Sequence, residues 1–97
     1  MPFNEHQLRL LIEMIEAIGF FRKGQLQFSD LVRGLEGALD AGEFKNEEIT
    51  RQWYDLWTPL ETLCATKGNS VNPTDAAKYL FDMESFLGTL MSHPSVQ

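Results

Sequence analysis

The sequence holds one cysteine, two histidines and four prolines among its 97 residues. A single thiol, Cys64, excludes an internal disulfide and any cysteine-based zinc site. His6 and His93 lie near opposite ends, and neither belongs to a Glu-x-x-His pair or an HExxH helix, so no bundle-type di-iron centre or zinc-protease site is encoded. Long apolar runs are also missing. The richest stretch, Leu8 to Phe21, is broken by Arg9, Glu13 and Glu16, which is too much charge for a membrane span. Met1-Pro2-Phe3-Asn4-Glu5-His6 lacks a basic region before an apolar run, so no signal peptide is expected and the chain reads as cytoplasmic. Basic residues are few: eight against fourteen acids give a net charge of −6. That sign argues against nucleic acid or an anionic membrane as partner. No glycine loop followed by Lys and Ser/Thr is present, and no dinucleotide fingerprint, so neither an enzyme nor a cofactor is expected. No segment alternates with period two for long enough to make a strand.

What is present is helical periodicity with capping signals. Asn4 and Gln7 form a capping box for a first helix, and Phe3 and Leu8 staple its entry. Leu8, Leu11, Ile12, Ile15 and Ile18 supply its expected core stripe, with Leu10, Met14 and Phe21 as a second strip. Arg22-Lys23-Gly24 closes it. A second helix from about Phe28 to Asp40 turns Leu31, Val32, Leu35 and Leu39 inward. Its Gly34 and Gly37 each cost roughly 1 kcal/mol against alanine, which a closely approaching helix would offset. Asn46 caps a third helix, with Glu47 and Glu48 in its first turn. There Ile49, Trp53, Leu56, Trp57, Leu60, Leu63 and Cys64 share one arc, and Pro59 is expected to kink or split the helix. Gly68-Asn69-Ser70 forms a loop, Asn72-Pro73-Thr74-Asp75 starts a fourth helix with Ala76, Leu80, Met83, Leu87 and Leu90 on its seam, and His93-Pro94 ends it. Four amphipathic helices joined by short loops predict a single all-α domain, residues 1–97, folded as an antiparallel up-down four-helix bundle.

Two surface features ask for more than a solvated face. Glu36, Asp40, Glu43, Glu47 and Glu48 against Lys45 place −4 of the net charge within thirteen residues. Helix-start electrostatics accounts for Glu47 and Glu48, whereas Asp40 stands in the last turn of its helix, where a negative charge costs about 0.3–1 kcal/mol. On the third helix Tyr54 falls between Glu47 and Glu61 at seven-residue spacing, an expected exposed row suited to a basic partner. Phe81 lies off the seam of the last helix, either packed under the loop after Gly24 or exposed as an outlying anchor. The candidate partner surface is therefore Glu36, Asp40, Glu43, Glu47, Glu48, Tyr54, Glu61 and Phe81. Cys64 falls on the core arc, where burial makes a thiol inert.

Gly24-x-Leu26 before Phe28-x-x-Leu31-Val32-x-x-Leu35-Glu36, followed by Trp53-x-x-Leu56-Trp57-x-x-Leu60-Glu61-x-x-x-Ala65, resembles the small all-helical immunity proteins of bacterial toxin systems. These include colicin-D-type immunity proteins and the helical immunity proteins of contact-dependent growth inhibition. The resemblance covers residues 24–66 and implies a cytosolic antidote, with no cofactor, that binds one basic toxin domain, commonly an RNase, as a monomer or weak homodimer. The alternative is a non-enzymatic adaptor or assembly subunit that holds a partner helix in an apolar groove.

Overall fold

The computed structural model describes residues 3–92. Its elements are α1 (Glu5–Arg22), α2 (Phe28–Gly42), α3 (Glu47–Lys67), a single 3₁₀ turn (Gly68–Ser70) and α4 (Ala77–Ser92). Each helix borders the next and α4 closes on α1, which is the ring order of a four-helix bundle. Side-chain bonds fix the antiparallel sense. The start of α1 meets the end of α2 through His6 Nε2 and the Ala41 carbonyl (3.2 Å), and through Gln7 Nε2, which donates to the Gly42 carbonyl (2.9 Å). The start of α2 meets the turn after α3 where Ser29 N donates to Asn69 Oδ1 (2.8 Å). The result is a rod with extents of 41 × 23 × 22 Å. No described helix is long and apolar enough to cross a membrane.

The start signals operate as expected. Asn4 and Gln7 bond reciprocally at 2.7 and 3.1 Å, and Asn46 accepts from Ile49 N at 3.0 Å. Asn72 and Asp75 likewise cap each other, but the turn between them stays tight, and regular α-helix begins only at Ala77. The expected stop at His93-Pro94 lies outside the described residues. Pro59 neither splits α3 nor ends it; the helix runs unbroken for 21 residues. A proline removes one backbone bond, and the burial of Trp53, Trp57 and Leu60 on either side holds the helix together without it.

One core runs through all four helices, from Phe3 and Leu11 to Trp53, Leu60, Leu80 and Leu87. The stripe expected on α1 is rotated in the structure. Leu10, Leu11, Met14, Ile18 and Phe21 are buried, Leu8 and Ile15 half-buried, and Ile12 is 47% exposed. Leu11 and Ile18 of the expected stripe are buried together with the whole second strip, so the core face is centred between the two, where Phe21 packs on Phe28 of α2 with ring centroids 5.2 Å apart. A second expectation also fails. A methyl group built on Gly34 or Gly37 would meet open space, so no helix approaches them closely, and both stand on the solvent face of α2. Gly42 is the glycine that packing does require, because a β-carbon there would collide with the ring of Phe44.

Candidate functional site

The α2–α3 pair gathers most of the candidate residues along one seam. On α2, Glu36 and Asp40 are one turn apart, and Glu43 follows at the helix end in the left-handed conformation (φ 49°, ψ 48°). Tyr54 and Glu61 lie two turns apart on α3. Tyr54 Oη donates to Glu36 Oε2 at 3.0 Å and ties the two helices together. On either side of this link lies a shallow hollow. One, of about 160 Å³, is walled by Leu39, Asp40, Glu43, Phe44, Thr50 and Tyr54. The other, of about 260 Å³, is walled by Val32, Arg33, Glu36, Trp57, Glu61 and Ala65, with Ser29 and Cys64 at its margin.

Behind the carboxylates stands a rigid aromatic wall. Trp53 and Trp57 are buried and stacked with centroids 5.9 Å apart, and Tyr54 meets both edge-on at 5.1 and 5.7 Å. Trp57 Nε1 donates to the Val32 carbonyl at 2.9 Å, a second tie between α2 and α3. Burial raises the Tyr54 phenol above its usual value near 10, and the negative charges of Glu36 and then Asp40 push it the same way. The hydroxyl is therefore neutral and a donor at physiological pH.

Charge on the seam is largely uncompensated. Among the described residues, Glu36, Asp40, Glu43, Glu47 and Glu61 form no salt bridge; the pairs that do form are Arg22–Glu84, Arg33–Asp30, Arg51–Glu48, Arg51–Asp55 and Lys78–Asp82. Among the described residues, Arg33 is the one cation lining either hollow, and Asp30 holds it at 2.9 Å. No group of three acids, histidines or cysteines converges to hold a metal among these residues. The carboxylates are strung along the seam, an arrangement that suits several separate cationic side chains.

The structure divides the expected set. Glu36, Asp40, Glu43, Tyr54 and Glu61 come together. Glu48 turns aside to accept from Arg51 (2.5 Å) and Gln52 (2.8 Å), hydrogen bonds that hold its carboxyl below the usual range. Glu47 is exposed but lines neither hollow. The exposed row of Glu47, Tyr54 and Glu61 does not form, because Tyr54 is half-buried with its hydroxyl engaged by Glu36. Phe81 is 64% exposed on α4, which rules out the packed alternative and leaves it away from the seam. Cys64 is half-buried at the edge of the larger hollow, short of the full burial its place on the arc implies.

Sequence reasoning missed the Glu36–Tyr54 and Trp57–Val32 bonds. A signal for both existed. In an antiparallel pair, residues equidistant from the loop midpoint lie level, and the connection 43–46 sets 36 against 54 and 32 against 57. Comparison with protein-family models, with curated proteins and with solved structures finds no match to this chain, so the meaning of the seam rests on its own geometry.

Proposed function

We propose that this chain is a non-enzymatic binding module whose α2–α3 seam occupies the cationic groove of a partner protein, in the manner of an immunity protein that occludes a nuclease toxin domain. One observation carries the reading: four carboxylates without salt bridges line a single seam, braced from behind by buried tryptophans. A groove that binds phosphates presents Lys and Arg side chains. Their alkyl stems would lie against Val32, Trp57 and Ala65 while their heads meet Glu36 and Glu61. Blocking by occupancy asks for no bond making, and the net charge of −6 would speed encounter above the ~10⁵–10⁶ M⁻¹s⁻¹ of neutral docking. Bracing from behind lowers the ordering cost of binding.

The test is protection and affinity together. If a nuclease toxin domain is encoded beside this gene, cells making that domain should survive when the wild-type chain is co-expressed. The Asp40→Lys/Glu43→Lys variant should fail to protect and should bind at least tenfold more slowly, with thermal stability no lower than wild type because positive charge suits the end of α2. Equal binding by the reversed variant would remove the acidic seam from the account.

A second reading has its own observation. Between α3 and α4 an open groove of about 390 Å³ is walled by Thr58, Pro59, Thr62, Leu63, Thr66 and Tyr79 and could cradle a partner helix, as an adaptor would. Salt separates the two, since groove packing keeps its on-rate as ionic strength rises and acidic docking loses it.

A further inference from the structure

The rotation of α1 leaves its outer ridge with an unusual composition. Glu5, Arg9, Ile12, Glu16, Phe20 and Lys23 recur every three or four residues and fall within about 80° of one another at 100° per residue. All six are exposed, Ile12 at 47% and Phe20 at 48%. A lone exposed isoleucine needs no explanation. Here two large apolar side chains alternate with charges of both signs on a helix whose opposite side is fully engaged in the core. None of Glu5, Arg9, Glu16 or Lys23 forms a salt bridge within the described chain. These six residues sum to no net charge, with Glu13 exposed at the edge of the ridge, about 20° beyond Phe20 at 100° per residue.

We propose that this ridge pairs with the same ridge of a second copy, antiparallel about a two-fold axis at Ile12. The order of charges makes the pairing self-complementary. Arg9 precedes Ile12 by three residues and Glu16 follows it by four, so at 1.5 Å per residue they lie about 4.5 and 6 Å from the axis on opposite sides. In the antiparallel copy the sides exchange, and each Arg9 comes level with the other copy's Glu16. One operation thus makes two reciprocal ion pairs around an Ile12–Ile12 contact, as an isologous interface requires. Glu5, seven residues before the axis, and Phe20, eight after it, meet in the same way, and the Phe20 ring covers the Glu5 stem. A parallel in-register pairing would oppose like charges at each of the four charged positions. The ridge lies apart from the α2–α3 seam, so both copies keep that seam open.

Sedimentation velocity across a concentration series in low salt tests the proposal. The mass should rise from the 11.1 kDa of one chain toward twice that value. Ile12→Arg and Arg9→Glu should each weaken association at least tenfold, and Arg9→Glu/Glu16→Arg should restore it to within threefold of wild type. Unchanged far-UV circular dichroism would show that these exposed substitutions leave the fold intact. A chain that stays monomeric to millimolar concentration overturns the proposal. So does association that survives Ile12→Arg, or a double variant as weak as Arg9→Glu alone.

Discussion

Glu43 and Tyr54 show how single residues serve the seam at different cost to the fold. Glu43 ends α2 with φ at 49°, a conformation glycine adopts freely and other residues do not. Glu43→Gly should therefore raise stability by about 0.5–1 kcal/mol in urea unfolding, while slowing association with a cationic partner. A gain in stability with no loss of binding would make the strain purely structural. Tyr54 works the other way, because its hydroxyl both braces the fold and shapes the site. Tyr54→Phe should cost about 1 kcal/mol, or roughly 4–8 °C in Tm for a domain of this size. Its pH signature has a definite sign. The folded phenol titrates above the unfolded value near 10, so its contribution is complete below pH 10 and is lost as pH rises through the raised value. Alkaline melting of Tyr54→Phe should lack that component.

At the scale of elements, caps and turns were legible from the sequence because each is local. Asn4 and Asn46 start their helices, and Asn72 closes the turn before α4, with bonds that span three residues. The exact centre of the α1 core face was not legible, since two apolar strips fit its period and the balance between them is set from another helix, where Phe28 meets Phe21. The cap on Ser29 was equally hidden: it comes from Asn69, forty residues away. Pro59 shows packing overriding propensity. The proline removes the bond that residue 59 would donate to the Asp55 carbonyl, yet α3 continues through it. Pro59→Ala should restore that bond and stabilise the chain by about 1–3 kcal/mol, visible as a higher midpoint in thermal melts followed by circular dichroism. Lower stability would mean that the ring's packing beside Leu63 and Tyr79 outweighs the missing bond.

For the molecule as a whole, charge was readable from the sequence and its geometry only partly so. The acids from Glu36 to Glu48 are clustered in the chain, but folding divides them. It turns Glu48 to Arg51, leaves Glu47 off the seam, and brings Glu61 from a distant turn to join Glu36. Their place on α2 and α3 followed from helical period; their grouping depended on the register of two helices, which the loop between them sets. The resulting asymmetry is the basis of the functional reading: the seam gathers four carboxylates without salt bridges, while Glu84 and Asp82 are matched by Arg22 and Lys78 and the unbridged Glu5 and Glu16 share the face of α1 with Arg9 and Lys23.

That asymmetry is open to direct measurement with a nine-residue arginine peptide titrated into the ¹⁵N-labelled chain at low salt. Amide shifts should concentrate at residues 36–43 and 54–61, weaken steeply as salt is added, and disappear in Asp40→Lys/Glu43→Lys. Shifts spread evenly over Glu13, Glu16, Asp82 and Glu84, or unchanged in the reversed variant, would contradict a dedicated cation-binding seam.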